Sequence, residues 1–183
     1  MRGRNATNLA RLKRLGIGNE ICMPSVMRII LGSDHAGFAY KTILAAALNE
    51  EGYEVLDLGT HTVTPSDYPD YAAVVAEAVL NKEGERGILI CGSAVGVSIA
   101  ANKFKGIRAG VCHDTYSAHQ SVEHDDVNIL CLGARVIGLE LAKDIVFAFL
   151  KAEFSGEERH VKRLDKIAAI EAQWGTKNQI PEQ

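Results

Sequence analysis

A cysteine followed by small residues is the segment of the chain best suited to chemistry. Cys91-Gly-Ser-Ala-Val-Gly96 comes directly after an apolar run at 87–91. Small residues allow successive backbone N–H groups to point to one place, which forms an anion-binding nest where a helix begins. Such a nest can hold a phosphate or a developing oxyanion, and it stabilises a thiolate at Cys91. The alternative is a tight turn beside a buried, inert cysteine.

A carboxylate and an imidazole follow another apolar run. Asp34 and His35 lie in Gly32-Ser-Asp-His-Ala-Gly37, directly after residues 28–31. This segment is neither the G-x-G-x-x-G of dinucleotide sites nor a Walker loop, so a nicotinamide cofactor has little support. Asp34 and His35 are therefore candidates for acid–base or binding roles. The alternative for Asp34 is that its carboxylate caps the following helix.

A second histidine stands among carboxylates. His124 lies in Glu123-His-Asp-Asp126 and could act as an acid or a base. His113 and Asp114 end another apolar run. These residues together with His119 show no rigid ligand spacing, so we predict no metal site.

Three arginines could hold a phosphate. Arg135 follows the apolar run 127–132, and Arg159 and Arg163 are four residues apart, so they share one helix face. Guanidinium groups match the geometry of phosphate oxygens. The alternative for the pair is a solvated face with ion pairs to Glu157 or Glu158.

These residues stand at the ends of short apolar runs that alternate with helical patterns. The patterns predict strands at 28–31, 54–58, 87–91, 108–112 and 127–132, and helices at 38–49, 70–80, 97–102, 115–123, 139–152 and 161–174. This order predicts an α/β fold, in which a five-stranded, parallel, doubly wound sheet of Rossmann or flavodoxin-like type carries helices on both faces and a C-terminal helix. Ligands bind beyond the carboxyl ends of such strands. The loops at 33–37, 91–96, 113–114 and 133–135 are expected at that edge.

Composition narrows the class of protein. The chain has 183 residues, of which 47% are hydrophobic and 23% charged, and this is typical of a soluble globular domain. A net charge of −3 argues against nucleic acid or an anionic membrane as partner. No stretch approaches the roughly 20 apolar residues of a membrane span. The four cysteines form no C-x-x-C pair, so reduced thiols in the cytoplasm are expected.

The amino-terminal segment differs from the remainder. Residues 1–27 carry a net charge of +4, and the rest of the chain carries −7. We predict that residues 1–26 are a basic, disordered extension, or lie ahead of a start at Met27. A targeting peptide is the alternative. Residues 27–174 are expected to form the catalytic domain, and 175–183 a polar tail.

The motifs together resemble one family. From Met27 to about Trp174 the chain is similar to the type B ribose-5-phosphate isomerases and the related galactose-6-phosphate isomerase subunits. The shared motifs, in order, are S-D-H-A-G at 33–37, D-Y-P-D-Y-A at 67–72, C-G-S-x-V-G at 91–96, I-A-A-N-K-F-x-G-I-R-A at 99–109, Y-S-A at 116–118, E-H-D-D-x-N at 123–128, G-A-R-V-I-G at 133–138 and S-G-E-E-R-H at 155–160.

The resemblance implies aldose–ketose isomerisation of a phosphosugar through an enediolate, without a metal or other cofactor. Cys91 would move a proton between C1 and C2. One branch of the family uses a glutamate at the position of Val97, so the chain resembles the cysteine branch. Ser93 and the nest formed by Gly92, Ala94, Val95 and Gly96 would stabilise the enediolate.

The resemblance also implies how the remaining residues act. His124, with Asp34, would open the furanose ring, and Asp125 would contact the sugar. His35, Arg135, Arg159 and Arg163 would hold the phosphate, with Arg159 and Arg163 coming from a neighbouring subunit of a homodimer or homotetramer. We expect that part of the apolar helix at 139–152 packs against that subunit.

Two departures from the family pattern concern the substrate. Asp125 replaces a common asparagine, and Ala94 replaces a common glycine. A tetrose, pentose or hexose phosphate therefore stays open. A receiver-like signalling module, which needs an acidic pocket and a lysine after the fifth strand, fits poorly. A non-catalytic phosphate- or nucleotide-binding flavodoxin-like module is the other alternative, and Cys91, Ser93 and His124 together argue against it.

Overall fold

A computed structural model describes residues 26–175 of the chain. The strands are β1 (Arg28–Ser33), β2 (Glu54–Asp57), β3 (Arg86–Cys91), β4 (Ala109–Val111) and β5 (Ile129–Gly133). The helices are α1 (Phe38–Glu50), α2 (Tyr68–Leu80), α3 (Val95–Ala101), α4 (Thr115–Asp125), α5 (Leu139–Lys151) and α6 (Glu158–Gly175). No described helix is long and apolar enough to cross a membrane. The predicted extension and most of the predicted tail lie outside the described residues.

The five strands form one parallel sheet in the order β2-β1-β3-β5-β4. The strand β2 lies on one side of β1 in the sheet and β3 lies on the other side. The strand order therefore reverses between β1 and β3. In the pairing of these strands Ser33 is opposite Ile90, and in the next pair Cys91 is opposite Gly133. The crevice that favours ligand binding in such sheets therefore lies beside Asp34 and Cys91.

Side chains that alternate along each strand point to opposite faces of the sheet, so the protein has two hydrophobic cores. Ile29, Leu31, Ile88 and Ile90 point to a core shared with α1, α4 and α5. Ile30, Leu89 and Cys91 point to the other face, against α2 and α3. Because both faces are covered, the strands read as continuous apolar runs, which is the pattern that predicts a parallel sheet.

Every predicted strand and helix is present, and the differences lie at the ends. The helix α3 begins at Val95 rather than 97, because Ala94 adopts a left-handed conformation that turns the chain directly into the helix. The strand β4 is only three residues long, since it is an edge strand that pairs only with β5. The last helix begins at Glu158 rather than 161.

The two carboxyl-terminal helices differ in how far their apolar residues are buried. The helix α5 buries Ala142, Ile145, Val146, Phe149 and Leu150 in the core of its own chain. The helix α6 instead leaves Val161, Ile167, Ile170 and Trp174 between 40% and 60% exposed. The exposed apolar residues of these two helices therefore lie mainly on α6, with Leu141 exposed on α5.

Candidate active site

The segment after β3 forms a compact turn around the Cys91 thiol. The backbone N–H of Ala94 donates to Cys91 Sγ over 3.2 Å. The turn is closed by Ala94 itself, whose φ of 70° is the left-handed conformation that glycine adopts at little cost. Cys91 is 5% exposed, so its sulfur sits just below the surface with an N–H group directed at it. This geometry stabilises negative charge on the sulfur.

The loop after β5 packs against this turn. The N–H of Ala134 donates to the Cys91 carbonyl over 2.9 Å, and that of Arg135 donates to the Gly92 carbonyl over 3.0 Å. A side chain on Gly92 would begin 3.5 Å from Cδ of Arg135, so the arginine lies along the glycine. The guanidinium group is thus held beside the nest.

The other side of the nest is covered by an aromatic ring. A side chain on Gly96 would begin 2.7 Å from the Tyr68 ring, so only glycine fits beneath it. Ser93 and Val95 are exposed at the rim of the turn. Val97 is fully buried, and it belongs to the same core cluster as Cys91 and Ala94.

The segment after β1 supplies the carboxylate and the imidazole. Asp34 is buried, and its Oδ1 accepts hydrogen bonds from the N–H groups of Ala36 (3.0 Å) and Gly37 (3.1 Å). One oxygen of Asp34 thus shapes the turn before α1, but the N-cap residue is Gly37 and no side chain caps the helix. His35 Nδ1 accepts a hydrogen bond from the Ser66 N–H over 3.1 Å, so the ring has a fixed orientation.

The remaining candidates lie at the opposite edge of the sheet. His124 and Asp125 are in the last turn of α4, which runs back from the carboxyl end of β4. The carbonyl of Glu123 accepts from the Ser155 N–H over 3.0 Å, which brings the start of α6 to the same place. Arg86 and Cys91, at the two ends of β3, are separated by roughly 17 Å at the usual rise per residue. The sheet therefore separates His124 from Cys91 within one chain.

His124 is stacked on a second histidine. The rings of His124 and His160 are 4.2 Å apart between centroids and inclined by 24°. His160 is only 1% exposed, and both of its ring nitrogens lack a hydrogen-bond partner among residues 26–175. Burial lowers the pKa of His160, and the neighbouring His124 and Arg159 lower this pKa further. A neutral His160 thus supports one face of the His124 ring.

The arginine pair lies beside these histidines. Arg159 Nε donates to Glu157 Oε2 over 2.8 Å, and both side chains are more than half exposed. This contact matches the alternative of a solvated arginine, and it holds the pKa of Glu157 below its usual range. Such an exposed ion pair contributes about 0–1 kcal/mol, so an anion can replace the carboxylate at little cost.

The structure therefore divides the predicted site residues into two groups. Asp34, His35, the nest residues 91–96 and Arg135 form a cluster at the carboxyl edge, which we call the nest cluster. His124, Asp125, Arg159 and Arg163, with His160, form a cluster at the amino edge, which we call the histidine cluster. His124 is predicted to act with Asp34 on the sugar ring, and within one chain these two side chains lie in different clusters.

Several contributors were not singled out from the sequence. Ser66 orients His35, His160 supports His124, and a buried ion pair joins Lys41 to Asp57 over 2.6 Å. Lys41 lies on the buried face of α1 with Leu44 and Leu48. A lysine at an apolar position of the helical pattern is the feature of the sequence that could have indicated this ion pair. Among residues 26–175 no group of three or more His, Cys, Asp or Glu could hold a metal ion. Metal independence stays a prediction.

Comparisons with known proteins agree on one family. The family described as Ribose/Galactose Isomerase matches residues 29–167. Ribose-5-phosphate isomerase B of Escherichia coli (strain K12) is 54% identical over 144 residues, which cover 79% of this chain and 96% of that protein. D-erythrulose-4-phosphate isomerase 2 of Mycolicibacterium smegmatis is 41% identical over 148 residues, which cover 79% of this chain and 97% of that protein. The structure of Clostridium thermocellum ribose-5-phosphate isomerase B superimposes with a TM-score of 0.79 at 54% identity, covering 81% of this chain and 99% of that one.

Proposed function

The chain belongs to the ribose/galactose isomerase family and catalyses aldose–ketose isomerisation of a phosphosugar, and we propose that it converts ribose 5-phosphate to ribulose 5-phosphate. The observation that carries this proposal is the nest cluster, in which a buried thiol receives an N–H hydrogen bond beside an arginine and a histidine. A non-catalytic binding module would need no thiol at that point.

In the proposed reaction Cys91 is the base. Its thiolate removes the proton from C2 of the open-chain aldose, and the electron pair moves toward the C1 carbonyl to give an enediolate. The thiol then returns the proton to C1, and the proton of the C2 hydroxyl moves to O1. The nest N–H groups of residues 92–96 and the Ser93 hydroxyl face the developing oxyanion. His35 and Arg135 bind the phosphate.

We propose that the histidine cluster of a second chain completes this site. His124 would open the sugar ring, Asp125 would contact its hydroxyls, and Arg159 and Arg163 would bind the phosphate. The support is the distance of roughly 17 Å between the two ends of β3, which separates the two clusters within one chain. A homodimer, or a tetramer built from such dimers, supplies the missing half of each site.

The surface around α6 fits a second copy of the chain. Ile167, Ile170 and Trp174 line a groove of about 1160 Å³, which Asp125 also borders. A groove lined by exposed apolar residues and continuous with predicted site residues is what an isologous interface requires. The described cysteines Cys91, Cys112 and Cys131 are free thiols, which supports a place in the reducing cytoplasm.

A panel of phosphosugars tests the substrate. We expect the highest kcat/KM with ribose 5-phosphate, and lower values with erythrulose 4-phosphate and galactose 6-phosphate. The Cys91→Ser variant should lower kcat by about 10²-fold or more, because a positioned proton-transfer group typically contributes that much. The matched control is Cys112→Ala, which removes a buried thiol on the other face of the sheet and should leave kcat nearly unchanged.

Each outcome of the panel has a distinct meaning. If the tetrose phosphate is turned over fastest, the proposed reaction stands and the proposed substrate is wrong. Ala94 and Asp125 leave room for that outcome. Near-normal turnover by Cys91→Ser would remove Cys91 from the role of base. Absence of turnover with every aldose or ketose phosphate would contradict the proposed function itself.

A further inference from the structure

The loop between β2 and α2 is fastened to the end of β1. We call residues 58–67 the covering loop. The N–H of Leu58 donates to the Leu31 carbonyl over 2.8 Å, and that of Thr60 donates to the Ser33 carbonyl over 2.9 Å. These bonds continue the parallel pairing of β1 and β2 beyond the last residue of β2. The covering loop therefore begins in a fixed register beside the segment that carries Asp34 and His35.

A buried ion pair holds the start of the covering loop. Lys41 is 1% exposed, and its Nζ donates to Asp57 Oδ1 over 2.6 Å. The same oxygen accepts from the Gly59 N–H over 2.9 Å. A side chain on Gly59 would begin 2.5 Å from the Ser33 nitrogen, so the loop passes directly over β1. A buried lysine that is paired with a carboxylate at this point keeps the loop from moving away.

The far end of the covering loop meets His35 through two reciprocal hydrogen bonds. The His35 N–H donates to Ser66 Oγ over 3.3 Å, and the Ser66 N–H donates to His35 Nδ1 over 3.1 Å. A backbone N–H can only donate, so Nδ1 must be the unprotonated nitrogen of the ring. A neutral imidazole then carries its single proton on Nε2.

We propose that Ser66 is a positioning residue that fixes His35 as the Nε2–H tautomer, so that His35 meets the substrate phosphate as a neutral hydrogen-bond donor. This inference rests on the proposed function in assigning the phosphate to His35. The Ser66 hydroxyl holds the His35 backbone, and the Ser66 backbone holds the ring. The hydrogen bond at Nδ1 fixes both the orientation of the ring and its tautomer. Charge on the phosphate is then balanced by the arginines alone.

The first test uses the intact enzyme without substrate. Nitrogen-15 labelling of histidine and long-range ¹⁵N–¹H spectra, assigned with His35→Gln, report which ring nitrogen carries the proton. At neutral pH we expect an unprotonated, hydrogen-bonded Nδ1 and a protonated Nε2 for His35. Inorganic phosphate should shift the Nε2–H signal and leave Nδ1 unprotonated. A proton on Nδ1, or a doubly protonated ring at neutral pH, would overturn the proposal.

The second test uses variants of the covering loop. Ser66→Ala removes one of the two reciprocal bonds, so we expect KM for ribose 5-phosphate to rise by roughly three- to tenfold with kcat within about twofold. Ser66→Thr retains the hydroxyl and should restore KM. Thr64→Ala is the matched control, because its side chain is exposed in the same loop. Ser66→Ala retains the backbone N–H that donates to Nδ1, so the His35 ring should stay in the Nε2–H form while the Nδ1 signal shifts as that hydrogen bond weakens.

The two tests separate this proposal from the proposed function. An unchanged KM and an unchanged Nδ1 signal in Ser66→Ala would remove the Ser66 hydroxyl from the positioning role. If Ser66→Ala does not fold, the spectrum of the wild-type enzyme still decides the tautomer. An enzyme without isomerase activity but with an Nε2–H tautomer would contradict the proposed function while leaving the fixed tautomer in place.

Discussion

At the scale of single residues, His160 shows how burial determines a charge state. Its ring lies inside the junction of α4 and α6 with no hydrogen-bond partner for either nitrogen among residues 26–175. The groups that act on it are His124, Arg159, Glu157 and Arg163, and only the carboxylate of Glu157 favours a charged ring. Burial therefore dominates, and the folded protein keeps the pKa of His160 below its ordinary value of 6.5.

The lowered pKa makes stability depend on pH. Below pH 6.5 the unfolded chain binds a proton at His160 while the folded chain resists it, so stability falls as the pH drops toward the folded pKa. We expect His160→Phe, which keeps an aromatic ring against His124, to weaken this fall between about pH 7 and pH 5. Urea midpoints across that range measure the effect. Parallel pH profiles for the two proteins would show that His160 does not titrate as inferred.

Ala94 illustrates a local cost with a local compensation. A left-handed conformation at a residue other than glycine costs roughly 1–2 kcal/mol. The Ala94 methyl is fully buried, and burial of such a group returns about 0.8 kcal/mol. Burial of the methyl therefore offsets part of the cost of the left-handed conformation.

At the scale of elements, Gly37 shows why the segment after β1 requires glycine at its end. The φ of Gly37 is −94°, which any residue can adopt, so conformational freedom is not the reason. A side chain there would begin 2.3 Å from the Ile90 carbonyl oxygen, which is backbone and cannot turn aside. The helix α1 thus starts in direct contact with β3, one residue before Cys91.

We expect Gly37→Ala to lower the free energy of unfolding by about 2 kcal/mol, because overpacking against backbone forces both segments to shift. The shift moves His35 and Cys91 apart, so kcat/KM should also fall. Chemical denaturation and steady-state kinetics measure the two effects. Gly138→Ala is the matched control, since no atom lies within 4 Å of the added carbon and the φ is −73°. Equal stability of the two variants would contradict the steric argument.

Sequence patterns predicted the elements well and the contacts between them poorly. Apolar runs and helical spacing depend on local burial, so all five strands and six helices were predicted within a few residues. The edge strand β4 was predicted too long, because an apolar run does not reveal how many neighbours a strand has. The contact of Ser66 with His35 joins residues 31 positions apart, and no local pattern reports such a distance.

At the scale of the whole molecule, the main difference concerns His124. The sequence showed that a histidine stands among carboxylates, but position along the chain does not show at which edge of the sheet a residue lies. The direction of α4 supplies that information, because a helix between parallel strands ends at the edge where the next strand begins. Within one chain His124 therefore lies with Arg159 and Arg163, and not with Asp34.

This division predicts which inactive variants can restore each other. In a dimer with shared sites, each pocket combines the nest cluster of one chain with the histidine cluster of the other. When a Cys91→Ser chain pairs with an Arg159→Ala/Arg163→Ala chain, one pocket contains both lesions and the other contains neither. After subunit exchange of equal amounts, activity should return to about a quarter of wild type, since half of the dimers are mixed and each has one intact pocket.

A second mixture tests the place of His124 itself. When a His124→Gln chain pairs with an Arg159→Ala/Arg163→Ala chain, both lesions lie in histidine clusters, so each pocket of a mixed dimer is damaged and activity should stay absent. If His124 served the nest cluster of its own chain while the arginines served the neighbour, one pocket would be intact and activity would return. Subunit exchange is verified by mass spectrometry of dimers with one isotopically labelled chain. Restored activity in the second mixture would overturn the division, and no restoration in the first would show that each site is built within one chain.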